Sequence, residues 1–69
     1  MAEQIFVFVN GQQAAIYEGM QVKHALISVS EALYSKALRG DLIIEDEHGF
    51  QIDLNGTLRE GDRIFTRPL

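Results

Sequence analysis

Ile5-Phe6-Val7-Phe8-Val9-Asn10-Gly11 is the stretch on which the fold turns. Its first five residues are apolar, alternate between β-branched and aromatic side chains, and are too few for a helix, so they read as a strand. Asn10-Gly11 is the strongest short-range hairpin signal, because both central positions of a type I′ turn need positive φ. Ala14-Ala15-Ile16-Tyr17 then reads as the returning strand, closed by Glu18-Gly19. An antiparallel hairpin therefore opens the chain.

Beyond the hairpin the apolar period changes. From Gln21 to about Leu38, Val22, Leu26, Val29 and Leu33 recur at spacings of four, three and four, with Ala25 and Ala32 beside them. That is the single stripe of one amphipathic helix. Its N-cap is poor, since Gly19, Met20 and Gln21 include no Ser, Thr, Asp or Asn. Its end is marked by Lys36 and Arg39 with Gly40 just past them. Leu42-Ile43-Ile44 is a short strand, Asp46-Glu47-His48-Gly49 a turn, and Phe50, Ile52 and Leu54 alternate with Gln51 and Asp53 as a half-buried strand. Asn55-Gly56 turns again, Leu58-Arg59-Glu60-Gly61-Asp62 is a leucine-anchored tight turn, and Arg63-Ile64-Phe65-Thr66 is the last strand. A hairpin cannot bury its own apolar face, whereas one helix laid across a mixed sheet can do so. The expected architecture is α+β: a β-grasp in one domain, residues 1–69, with a mixed sheet of four to five strands. The helix crosses that sheet and the first and last strands lie parallel at its centre.

Alternation along the first strand carries a functional expectation. With Ile5, Val7 and Val9 facing the helix, Phe6 and Phe8 face the other way. If the final strand is the parallel neighbour and Ile64 faces the helix, Phe65 joins them. One helix covers one face of so small a sheet, so three phenylalanines on the other face would form an apolar patch of a few hundred Å², roughly the size at which patches mark interaction sites.

Composition narrows the function classes. The 69 residues are 46% hydrophobic and 23% charged, with one proline, six glycines and no cysteine. At this length folding removes only about 60% of the surface that the unfolded chain exposes. Ten acids against six bases, a net charge of −4, argue against a general phosphate-backbone binder, which needs clustered Lys and Arg. The absence of cysteine removes a disulfide framework, a thiolate nucleophile and Cys-ligated zinc. Met1-Ala2-Glu3-Gln4 lacks the basic, then apolar, start of a signal peptide. No apolar run approaches the roughly 18–20 residues of a membrane helix, so the expected setting is cytoplasmic. Neither a Ser-His-Asp set, a glycine-rich phosphate loop, a zinc pattern nor a dinucleotide fingerprint is present, so no enzyme activity, metal or cofactor is expected.

Two segments carry a family resemblance. Val9-Asn10-Gly11-Gln12, followed by Tyr17-Glu18-Gly19 and a helix opening near Val22, resembles the start of the thiamine-biosynthesis sulfur carriers, ubiquitin-like β-grasp proteins related to the small subunit of molybdopterin synthase. Leu58-Arg59-Glu60-Gly61-Asp62-Arg63-Ile64 resembles the turn leading into the last strand of that superfamily and of TGS domains. Gly61-Asp62-Arg63-Ile64 with Arg67-Pro68-Leu69 is similar to the ending of the RnfH family. The segments span roughly half of the 69 residues, and the resemblance implies a ubiquitin-like fold more than a particular activity. The turn has its own logic: Leu58 anchors in the core, Gly61 supplies the unusual backbone angles and Asp62 bonds back to local amides. The sulfur carriers resemble one another in a tail ending in Gly-Gly, whereas this sequence ends in Arg67-Pro68-Leu69, which would be a poor adenylation substrate.

The remaining candidates read plainly. His24, early on the helix, and His48, in a turn, are expected to be solvated surface histidines. Asp41, Glu45, Asp46, Glu47 and Asp53 hold five of the ten acids; they do not alternate around a glycine as a calcium loop does and read first as a solvated turn, second as an acidic docking surface. Arg59, Arg63 and Arg67 recur every four residues, with Arg63 and Arg67 sharing a strand face and Arg59 on the turn. Charge balance against Glu60 and Asp62 is the simpler reading, and steering of a partner is the other. The expected function is a small, non-catalytic protein-interaction module. It docks a protein partner or a second copy through Phe6, Phe8 and Phe65, with Arg63 and Arg67 at the rim. A sulfur-carrier-like protein with a missing or degenerate Gly-Gly tail is the alternative. An RNA-associated module of the TGS kind is disfavoured by the charge.

Overall fold

The computed structural model describes residues 3–69; Met1 and Ala2, used above against a leader sequence, lie outside that range. Over the described residues the chain is α+β, with five strands and two helices. β1 (Gln4–Val9) and β2 (Gln12–Tyr17) form the hairpin, in continuous antiparallel register from Gln4↔Tyr17 to Val9↔Gln12. Asn10 at φ 52° and Gly11 at φ 84° are the two left-handed positions of the turn. The Asn10 side chain also reaches across to β5 (Arg63–Pro68): Nδ2 donates to Thr66 Oγ1 at 2.8 Å and Oδ1 accepts from the Thr66 amide at 2.9 Å. It thereby extends the parallel pairing of β1 and β5 beyond Val9↔Ile64.

Two helices, not one, follow the hairpin. α1 (Val22–Val29) and α2 (Glu31–Leu38) meet at Ser30, which is extended at φ −164°, ψ 120°. Ser28-Val29-Ser30 is a run of weak helix formers. The Ser30 amide closes α1 on the Leu26 carbonyl at 2.7 Å, while its own carbonyl accepts from Leu33 and Tyr34 to start α2. The apolar spacing runs through the break undisturbed, because periodicity reports which positions are covered and not whether the backbone ladder is continuous. Burial divides unevenly. Val22, Ala25 and Leu26 of α1 are buried, no residue of α2 is, and Ala32, expected beside the stripe, is exposed.

The weak N-cap of α1 is remedied from a distance. The amides of Val22 and Lys23 donate to the carbonyls of Gly56 at 2.8 Å and Leu54 at 3.0 Å, so the loop after β4 (Gln51–Ile52) satisfies donors that a local side chain usually takes. The same diversion shortens β4. Phe50–Leu54 reads as a strand by alternation, but only Gln51–Ile52 pairs with β3 (Leu42–Asp46), because Leu54 leaves the ladder to serve α1. The end of α2 carries the capping expected around Gly40. Its amide donates to the Ala37 carbonyl and that of Asp41 to the Lys36 carbonyl, the paired bonds of a Schellman motif.

The sheet order is β2-β1-β5-β3-β4, with β1 and β5 parallel and every other pair antiparallel. Ile5, Val7, Val9, Ala14, Ile16, Ile44 and Ile64 from its inner face meet Val22, Ala25 and Leu26 of α1 and Leu58 of the turn before β5. Leu58 anchors that turn in the core, Gly61 is at φ 83°, and Asp62 accepts from the Arg59 amide at 2.8 Å. All three roles read from the sequence are present.

Candidate functional site

The outer face of the sheet follows from the registers. Phe8 is level with Arg63 across the parallel pair, and Phe65 is level with Glu45 across β5 and β3. Residues directly opposite share a face, so Phe6, Phe8, Arg63, Phe65 and Arg67 lie together on the side away from α1, with Ala15 and Tyr17 from β2 and Ile43 and Glu45 from β3. The expected five residues are therefore brought onto one surface.

Their arrangement differs from a continuous apolar patch. Phe6 and Phe65 are 40% and 41% exposed, whereas Phe8 is half-buried. The Arg63 guanidinium lies over the Phe8 ring at 4.8 Å from its centroid. Cation–π contact of this kind holds a charge on an apolar ring, and here it divides the patch: Phe6 stands on one side of Arg63 and Phe65 on the other. Arg63 has no carboxylate partner among the described residues, so its charge is available at the middle of the face.

Arg67 is held differently. Its Nε and one terminal nitrogen each donate to Glu45 at 3.0 Å in a bidentate pair. Glu45 is thus removed from the expected acidic cluster. Of Arg59, Arg63 and Arg67, only Arg67 has a carboxylate partner among the described residues, and it is Glu45, not Glu60 or Asp62: Glu60 accepts from the Phe6 amide at 2.7 Å, and Asp62 caps the turn at Arg59. Asp46 is also occupied, accepting from the amides of His48 and Phe50, and Asp41 pairs with Arg39 at 3.1 Å. The acidic run is mainly turn chemistry. Among the described residues no group of three or more His, Cys, Asp or Glu is placed to hold a metal.

The hydrogen bonds from Arg67, reinforced by its charge, hold the Glu45 carboxyl below the usual glutamate range, and the same contact raises Arg67. The folded state therefore keeps Glu45 ionised at a pH where the unfolded chain binds a proton. The stabilisation is complete above the ordinary glutamate range and is lost as pH falls through the folded value. Glu45→Gln is expected to flatten the acid side of a Tm-against-pH curve while leaving its neutral part little changed. Curves for wild type and variant that stay parallel from about pH 7 to about pH 3 would show that the pair does not survive in solution.

Of the two histidines, His48 is exposed in its turn as expected. His24 is not a simple surface residue: it is half-buried, and its Nδ1 accepts from the Gln21 amide at 2.9 Å. The bond reaches back three residues, as a capping-box Glu or Gln does, and a His at that position was the available signal. A second concave surface escaped the sequence reading. It is a groove of about 650 Å³ between α2 and the β3–β4 edge, lined by Ala37, Leu42, Ile44, Ile52, Leu54 and Leu69. It lies beside a β4 of only two residues, a length that alternation could not show.

No helix among the described residues is long and apolar enough to cross a membrane. Compared with protein-family models and with curated proteins, the chain shows no significant match to any.

Proposed function

We propose that this chain is a ubiquitin-like β-grasp protein-interaction module, non-catalytic and cytoplasmic, that docks a protein partner through the open sheet face. The reading rests on one observation: Phe6 and Phe65 stand about 40% exposed on either side of an arginine that has no carboxylate partner among the described residues. Two rings flanking a fixed charge are suited to a partner surface with two apolar recesses around a carboxylate. Burial of the rings supplies affinity, and Arg63 sets orientation. Arg67, tied to Glu45, forms part of the rim. The sulfur-carrier alternative gains nothing from the strand pairing, since Arg67 and Pro68 are in the ladder opposite Ile43 and Leu42.

The test is capture from the soluble lysate of the source organism on wild type, Phe6→Arg and Phe65→Arg, read by mass spectrometry. Both rings project from the sheet surface, so the variants are expected to keep the wild-type far-ultraviolet circular dichroism. A specific protein held by wild type should be depleted at least about tenfold on each variant, the size of effect when an interface anchor worth about 1.4 kcal/mol or more is lost. Equal capture on all three folded baits would overturn the reading.

A further inference from the structure

β2 is an outer strand of the sheet, and its hydrogen-bonding pattern is set by the hairpin. The Glu18 amide donates to the Glu3 carbonyl at 2.7 Å. In an antiparallel ladder every second pair exchanges such bonds, so Ile5/Ile16, Val7/Ala14 and Val9/Gln12 are the bonded pairs. On β1 the intervening residues bond to the other side, as the Phe6 amide does to Glu60 and the Phe8 amide to Asp62. On β2 the intervening residues are Gln13, Ala15 and Tyr17, whose N–H and C=O groups point outward. Tyr17 is closed off locally: its amide donates to the Met20 sulfur at 3.4 Å and its carbonyl accepts from the Met20 amide at 3.0 Å. Among the described residues Gln13 and Ala15 find no such partner, which leaves two donors and two acceptors directed away from the sheet.

Protein edges are normally blunted by lysine, proline, a bulge or a covering segment. Gln12-Gln13-Ala14-Ala15-Ile16-Tyr17 has no charge, no proline and an uninterrupted register. Tyr17, 49% exposed, and Ile27, 41% exposed, flank the edge. Between them runs a shallow groove of about 250 Å³ that also includes Ile16, Met20 and His24.

We propose that two copies of this chain pair β2 against β2, antiparallel about a two-fold axis at Ala14, and so join two five-stranded sheets into one of ten strands. The free groups dictate the register. Gln13 faces Ala15 of the second copy and Ala15 faces its Gln13, which forms four main-chain hydrogen bonds with Ala14 opposite Ala14. Tyr17 then lies opposite Gly11 of the second copy, where no side chain obstructs the ring. Glu18 lies opposite Asn10, so no acid meets an acid. The placement of the free groups selects a second copy as the occupant: Gln13 and Ala15 lie symmetrically about Ala14 and so complement themselves when the strand is turned about the two-fold axis, and the strand is free of the charge that would set chains of net charge −4 against one another. An isologous contact of this kind uses the same patch twice and closes on itself. Four hydrogen bonds with apolar flanks form an interface at the small end of the range, so association is weak and is read at high concentration.

Sedimentation equilibrium of the full chain from about 0.05 to about 1 mM, the range suited to a small interface, is expected to show the mean mass rising from 7.8 kDa towards twice that value. Ala15→Pro should hold it at the monomer mass. Proline there removes only an outward amide, because Phe6/Ala15 is not a bonded pair, and edge strands tolerate proline in that position. On the wild type, amide exchange at Gln13 and Ala15 should slow several-fold across the same concentrations while that at Val7 stays constant, a readout that needs no variant. A constant monomer mass with concentration-independent exchange would overturn the proposal. So would a dimer that survives Ala15→Pro with its circular dichroism intact, or one that Phe65→Arg dissolves, which would place self-association on the open sheet face instead.

Discussion

Leu26→Ala is expected to remove about 3 kcal/mol of folding free energy, within the range of about 2–5 kcal/mol for truncating a buried leucine. Leu26 is fully buried, is the largest of the fully buried side chains, and lies in α1 over the inner face of the sheet. A chain of 69 residues has a total stability of roughly 3–10 kcal/mol, so the variant should be unfolded in a substantial fraction even without denaturant. In urea the midpoint should fall sharply with little change in slope, since the surface exposed on unfolding hardly alters. Leu33→Ala provides the contrast. It occupies the same apolar stripe but sits in α2, where no residue is buried, and it should cost about 1 kcal/mol or less, in the range of partly exposed positions. Equal losses at the two leucines would mean that α2 packs as tightly as α1 in solution, contrary to the burial seen here.

Gly61→Val is the second large effect, and its cause lies in the backbone rather than in packing. Gly61 is at φ 83°, and a Cβ built there meets nothing within 4 Å. The cost is therefore that of forcing a β-branched residue into the left-handed region, of order 1–3 kcal/mol. The consequence reaches the candidate surface. The Gly61 amide donates to the Phe6 carbonyl at 2.8 Å and the Asp62 carbonyl accepts from the Phe8 amide at 2.9 Å, so the turn aligns β1 with β5. Amide exchange at Phe8 should accelerate in Gly61→Val along with the fall in urea midpoint. Gly61→Asn, in a residue more tolerant of positive φ, should recover part of both. A valine variant as stable as wild type would show that the turn can adopt another conformation without loss.

The outward placing of Phe6 and Phe8 was legible because strand alternation is a local property. Once Ile5, Val7 and Val9 face the core, Phe6 and Phe8 have only the other side available. The hairpin was legible for a related reason: Asn10-Gly11 favours its turn whatever surrounds it. The break at Ser30 was not, because the stripe of Val22, Leu26, Val29 and Leu33 runs across it. Nor was the length of β4, since Phe50, Ile52 and Leu54 alternate as a strand should until Leu54 is taken by the start of α1.

Sequence alone determined the order of the strands around a helical segment, the inward face of the first strand, the hairpin turn and the roles of Leu58, Gly61 and Asp62, because each depends on residues within a few positions of one another. Tertiary structure decided which charges meet and which edge groups stay free. Arg67 finds Glu45 across 22 positions, Asn10 finds Thr66 across 56, and Arg63 settles on Phe8 through the parallel register of β1 and β5. Such contacts arise only when distant strands are set side by side, and their energies are too small to dictate that alignment. The burial of Leu26, Ile64, Val7 and Val9 dictates it, and the surface that results is a consequence of how the core closes.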